Sequence, residues 1–201
     1  MSDQMSGLLP STYPIRVTVT DDLVRNRWTV AFRLILAIPA AIVAGIFSIG
    51  AAIVWVVVWI WTLAAGQMPD WAHRFYSATT RINVHVNSYV YLAANPYPNL
   101  TGEPGYPVDV EIDPPAPQRR VITLFRPILV IPMLIVATVL QYVQEIVAVV
   151  GWFYSLATGR MNEGMRNLIT FCIAFQARTY GYLGFLTDRY PTFSEGRIPT
   201  S

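Results

Sequence analysis

The feature that most constrains this chain is that it is written twice. Tyr13-Pro14-Ile15-Arg16-Val17 recurs as Tyr106-Pro107-Val108-Asp109-Val110, an offset of 93 residues. The same offset carries Phe32-Arg33 onto Phe125-Arg126, Ile38-Pro39 onto Ile131-Pro132, Trp59 onto Trp152 and Gly66 onto Gly159. It ends by carrying Tyr97-Pro98 onto Tyr190-Pro191, and no gap is needed anywhere. Self-similarity at a fixed period means one structural unit used twice. The expected organisation is a tail over 1–12, unit one over 13–105, unit two over 106–194 and a tail over 195–201.

Each unit reads in four parts. An alternating β-branched segment comes first (14–20 and 107–112), with Ile15, Val17 and Val19 on one side and Arg16, Thr18 and Thr20 on the other. Period two predicts strands. Two isolated strands are marginal unless paired, so they are expected to pair across the duplication, with Arg16 near the acids of the second. A long apolar run follows (28–67 and 121–159), too long for one untilted crossing of about 20 residues. It predicts a helical hairpin in each unit, with four spans at 28–47, 50–67, 121–140 and 143–159. The turns fall near Ser48-Ile49-Gly50 and around Gln141, Gln144 and Glu145; a re-entrant hairpin that does not cross fully is the variant. Pro39 and Pro132 are expected to kink their helices.

The third part is an amphipathic helix (70–94 and 163–187). The stripe of Trp71, Phe75, Ala78, Ile82 and Tyr89, opposed by His73, Arg74, Ser77 and Arg81, predicts a helix lying in the membrane interface. The more apolar second copy has a span as its alternative. A Tyr-Pro exit closes each unit. The fold class is thus mainly α and integral to a membrane, as a tandem parallel repeat.

Composition agrees with that class. Hydrophobic residues make up 54% and charged residues 13%, against about 25% charged in soluble domains. A net charge of +2 gives no argument for nucleic acid. All basic residues are arginine, whose planar guanidinium suits lipid phosphate. They flank the apolar runs and are absent from the expected hairpin tips, so the positive-inside rule puts both termini in the cytoplasm and makes the repeats parallel about the membrane normal. The polar N-terminus with Pro10 and Pro14 does not read as a signal peptide.

The Tyr-Pro-strand, then Arg33-Leu34-Ile35-Leu36-Ala37-Ile38-Pro39, then the Trp-rich run to Gly66 resemble the domain-of-unknown-function 4389 family of bacterial membrane proteins. Thr158-Gly159-Arg160 and the close of unit two, Leu186-Thr187-Asp188-Arg189-Tyr190-Pro191, fit the same pattern. Unit one departs from it, reading Asn95-Pro96-Tyr97-Pro98 at its exit. The resemblance implies a bacterial, often actinobacterial, plasma-membrane protein. It implies no activity, substrate or cofactor.

No catalytic or metal-binding set is legible. His73 and His85 are twelve apart, unsuited to a ligand pair on one helix. Cys172 has no charge pattern to activate it. Glu145 reads as a polar turn, or as a buried carboxylate handling cations. Arg33, Arg126, Arg74, Arg81, Arg166 and Arg178 are candidate lipid-headgroup contacts, with snorkelling as the simpler reading for the first two. Trp55, Trp59 and Trp152 are candidates for packing against a partner helix. The expected function is a non-catalytic membrane subunit or scaffold, without cofactor, in contact with lipids and other membrane subunits and open to self-association. A lipid-transport or cell-envelope assembly is the setting suggested by the family. The alternative is a small transporter or channel formed by the repeat pair or its oligomer.

Overall fold

The computed structural model describes residues 13–191; the two expected tails, 1–12 and 195–201, lie outside them. Two strands, β1 (Ile15–Val19) and β2 (Val108–Ile112), pair antiparallel with Val17 opposite Val110. Those two valines are themselves one repeat apart. The register Ile15–Ile112 and Val19–Val108 is therefore mapped onto itself by exchanging the units. A pseudo-twofold axis passes through the centre of the ribbon. Arg16 reaches Asp113 at 2.8 Å and Glu111 at 3.4 Å, as the sequence leads one to expect.

The helices are α1 (Arg27–Ala31), α2 (Arg33–Ala65), α3 (Asp70–Val90), α4 (Arg120–Leu129), α5 (Ile131–Thr158) and α6 (Glu163–Leu183). Each expected hairpin is instead a short helix followed, after a one-residue break, by one unbroken long helix: α2 has 33 residues and α5 has 28. At 1.5 Å per residue these are about 50 and 42 Å long. The apolar run marks one long apolar helix and not a reversal of direction. Ser48 stays helical, its hydroxyl bonded to the Ala44 carbonyl at 2.8 Å. Gln144 is fully buried, within 3.3 Å of Gln176, so the polar cluster in unit two marks a helix contact, not a turn. Pro39 sits inside unbroken α2, whereas Pro132 lies in the first turn of α5 after a break at Val130. Both long helices stop at a left-handed glycine, Gly66 (φ 76°) and Gly159 (φ 74°), the usual C-terminal device. Among the described residues, two helices, α2 and α5, are long and apolar enough to cross a membrane, not four.

The two rods run in opposite directions. Trp59 Nε1 donates to the Thr123 carbonyl at one end, and Trp152 Nε1 donates to the Val30 carbonyl at the other, each at 2.8 Å. Further bonds obey the same exchange. Arg27 donates to Ala157 O as Arg120 does to Ala64 O, and Arg25 N–H to Gly159 O as Gln118 N–H to Gly66 O. The axis is therefore perpendicular to the rods.

The amphipathic helices are not at the periphery. α3 and α6 pack on each other and form the centre, α3 covered by α2 and α6 by α5. Their polar faces, which suggested an interface, are spent inside the protein. On α3, Tyr76 bonds the Ala51 carbonyl and Asn83 reaches Ser48 of α2. Arg81 and His85, on the opposite side of the helix by its 3.6-residue period, face β2. On α6, Gln176 turns to α5 and Arg178 to the Ile15 carbonyl of β1. Three layers follow along the axis: the strand pair, then α3 with α6, then α2 with α5.

Candidate membrane-facing site

The outermost layer is nearly all apolar and nearly all uncovered. The buried residues of α2 form one narrow stripe, Arg33, Ala37, Ala40, Ala44, Val58 and Thr62. Around it Leu34, Ile42, Ile49 and Ile53 are 58–71% exposed, and on α5 Ile135, Ile146 and Phe153 are 62–66% exposed. Soluble monomers rarely expose contiguous apolar patches above a few hundred Å². Moving each such side chain from water to an apolar medium is worth roughly 1.5–3 kcal/mol. With about two thirds of each exposed, seven of them amount to about 7–14 kcal/mol, comparable to the whole net stability of a typical domain, about 5–15 kcal/mol.

Arg33 and Arg126 do not reach out from this face. They are 1% and 0% exposed. Arg33 donates to Tyr89 O at 2.8 Å and Ala94 O at 3.1 Å, lying 4.5 Å from the Tyr89 ring centre. Arg126 repeats this in unit two, donating to Tyr182 O, to Thr187 O at 3.0 Å and to Gln118 Oε1 at 2.7 Å, over the Tyr182 ring at 4.6 Å. Each guanidinium thus closes the C-terminal end of α3 or α6, where unpaired carbonyls and the helix dipole favour a cation. Headgroup contact is corrected to helix capping, because the carbonyls take the planar fork that phosphate was expected to take.

Three more of the expected headgroup residues are also turned inward. Arg81 donates to Gly102 O and Val110 O and pairs with Asp109 at 3.3 Å. Arg166 is buried beside Asp21 O and Glu163. Arg178 is buried against the Tyr13 ring and Ile15 O. Arg74 is exposed. The exposed arginines at the rod ends are ones the sequence reading did not single out: Arg27 and Arg160 at one end, Arg119 and Arg120 at the other. The signal was their position at the edges of the apolar runs.

The three candidate tryptophans meet helices of the opposite unit. Trp59 and Trp152 bond α4 and α1 as described, and Trp55 bonds Leu183 O at 2.9 Å while stacking on Trp59.

A polar cluster lies under the ribbon. His85 is fully buried, with Nε2 3.1 Å from Asp109 Oδ1 and Nδ1 3.1 Å from Asn99 O. Burial acts to raise the Asp109 carboxyl, but bonds from His85 and from the N–H groups of Gly105 and Val110 outweigh it and hold the group below its ordinary value. In unit two, Arg178 takes the place of His85, one repeat on. The cluster pins the 95–107 connection to α3. Burial pushes the Cys172 thiol up to about 11, which disfavours the reactive thiolate. Among the described residues no three His, Cys, Asp or Glu side chains gather as a metal site.

Comparison with known families agrees with this doubled architecture. The family described as "Domain of unknown function (DUF4389)" matches residues 27–100 and 120–195. The chain belongs to the DUF4389 family. The two matched segments begin 93 residues apart, at Arg27 and Arg120, so the DUF4389 unit comprises the long rod and its central helix, and the strands lie outside both segments. No curated protein and no solved structure matches the chain.

Proposed function

We propose that this DUF4389 protein is a non-catalytic membrane module that lies in one leaflet of the bacterial plasma membrane, entered from the cytosol. It serves there as a subunit or scaffold for other membrane proteins. The observation that carries this reading is the opposition, along one pseudo-twofold axis, of a charged strand pair and an apolar layer of rods.

That opposition favours rods lying along the membrane over rods crossing it. The rods are antiparallel, so in a crossing orientation the axis would lie in the bilayer mid-plane. The ribbon on that axis would then put Arg16, Glu111 and Asp113, with side chains 30%, 61% and 44% exposed, at mid-depth. A charge there costs at least about 2.5 kcal/mol. A rod of about 50 Å also exceeds the hydrocarbon core of about 30 Å. With the axis along the membrane normal, the rods are immersed, the ribbon is in water, and the arginines at both rod ends reach one layer of phosphates. Each exposed arginine near an anionic leaflet contributes roughly 1 kcal/mol, and their sign favours the cytosolic side. The rods' uncovered faces are then available to acyl chains and to helices of partner subunits.

Single cysteines test this in Cys172→Ala protein in intact cells. Asp113→Cys is expected to react with a membrane-impermeant maleimide only after the cells are opened. Ile49→Cys is expected to stay unreactive from both sides. Reaction of Ile49→Cys from outside the cell would overturn the proposal.

A further inference from the structure

The pseudo-twofold axis also runs through a cavity. It has a volume of about 460 Å³ and lies on the side of α3 and α6 away from the ribbon, flanked by α2 and α5. Its walls come from equivalent positions of the two units: Ser48 with Gln141, Asn83 with Gln176, and Asn87 with Tyr180. Ser48, Gln141 and Tyr180 are exposed, as is Ala52 beside them, and they mark the mouth between the rods. In the orientation proposed above, on which this inference rests, that mouth opens into the acyl-chain region.

The lining is largely apolar, and the polar groups set in it carry no charge. Among the described residues no Asp, Glu, Lys or Arg contributes to it. The nearest carboxylate on α5, Glu145, is engaged by Gln141 at 3.2 Å and by Tyr91. Asn83, Asn87 and Gln176 each send at least one N–H hydrogen into the wall itself. Asn83 Nδ2 donates to Thr79 O and Ser48 Oγ, Asn87 Nδ2 to Asn83 O, and Gln176 Nε2 to Gln144 Oε1. The side-chain oxygens of Asn83, Asn87 and Gln176 make no hydrogen bond among the described residues, so the wall presents acceptors, with the exposed Tyr180 hydroxyl beside them at the mouth. Behind it, fully buried Gln144 has its Nε2 without a partner.

Polar acceptors set in an apolar wall that faces hydrocarbon cost free energy while they go unpaired. The volume falls within the usual 300–1,000 Å³ of small-ligand sites. It suits a lipid's head and the start of its chains, with the remaining chain lying between the rods. We infer that this cavity binds an uncharged membrane lipid whose head donates hydroxyl hydrogens, of the diacylglycerol kind. A phosphate head is disfavoured, because the lining offers it no cation.

Photolabelling of the full chain in liposomes tests this. Two probes carry a diazirine in one acyl chain: dioleoylglycerol, and phosphatidylglycerol as the anionic arm. Dioleoylglycerol is expected to label peptides of α3 and α6 at the cavity at least about tenfold more than phosphatidylglycerol does. Ala52→Trp, an exposed position at the mouth, is expected to abolish that labelling, and Asn83→Leu to lower it severalfold. Both probes are expected to label the outer faces of α2 and α5 equally in every variant. Equal cavity labelling by the two probes, or labelling undiminished in both variants, would overturn the lipid assignment alone. Absence of label on the outer faces of α2 and α5 would overturn the seating in the leaflet, and this inference with it.

Discussion

Arg126→Ala separates capping from headgroup contact. The substitution removes the donor to Tyr182 O, Thr187 O and Gln118 Oε1. Each buried acceptor left unpaired costs roughly 1–3 kcal/mol. Loss of the desolvated stacking on Tyr182 and Phe185, at 4.6 and 4.7 Å, adds about 2 kcal/mol. Relief from burying a charge offsets part of this, several kcal/mol in the other direction. The expected net loss is about 3 kcal/mol. For a protein of this size 1 kcal/mol moves Tm by about 2–4 °C, so Tm is expected to fall by about 6–12 °C. Tryptophan fluorescence during heating in a mild detergent reads the transition. Arg74→Ala, at an exposed arginine, is the control and is expected to stay within about 0.5 kcal/mol. An Arg126→Ala protein that melts within 2 °C or so of the parent, yet loses affinity for anionic vesicles, would refute the capping argument.

Other outcomes follow from the same geometry. Trp59→Phe and Trp152→Phe each delete one 2.8 Å bond between units, and each is expected to cost about 1 kcal/mol in denaturant titration. Gly159→Ala, at φ 74°, is expected to destabilise by about 1–2 kcal/mol. Gly45→Ala, inside α2 with open space around its new methyl, is expected to stabilise by about 0.5–1 kcal/mol; the opposite order would contradict the assigned helix end. Asp109 is held below the ordinary aspartate value of 3.8, so the unfolded chain takes up its proton first. Its contribution is complete above that value, and falls as pH drops through 3.8 and is gone below the folded value. Asp109→Asn is expected to flatten the acid limb of a stability–pH curve measured between pH 2 and 6, and an unchanged limb would count against the His85–Asp109 contact.

The repeat, the strands and their pairing were legible because each leaves a local mark: a constant offset, a period of two, and opposite charges on Arg16, Glu111 and Asp113. The hairpins were misread because hydropathy measures how apolar a stretch is and carries no information on where it bends. Gln141, Gln144 and Glu145 look like a turn in sequence, yet their partners Gln176 and Tyr91 lie far along the chain. The arginine caps were hidden for the same reason. The carbonyls that hold Arg33 and Arg126 are 56 and 61 residues away in both units, and a backbone acceptor has no signature in side-chain identity. Asp109 falls in the polar phase of its strand and is nevertheless buried, because α3 brings His85 and Arg81 beneath it. That closure depends on how α3 packs, which periodicity does not encode.

The depth of α2 tests the central claim most directly. Spin labels at Ile38, Ile49 and Ile60, all exposed on the rod, report immersion through the relative accessibility of oxygen and a water-soluble nickel complex in liposomes. The account predicts three similar depths within one leaflet. A profile with Ile49 at the bilayer centre and Ile38 and Ile60 near opposite headgroups would contradict it.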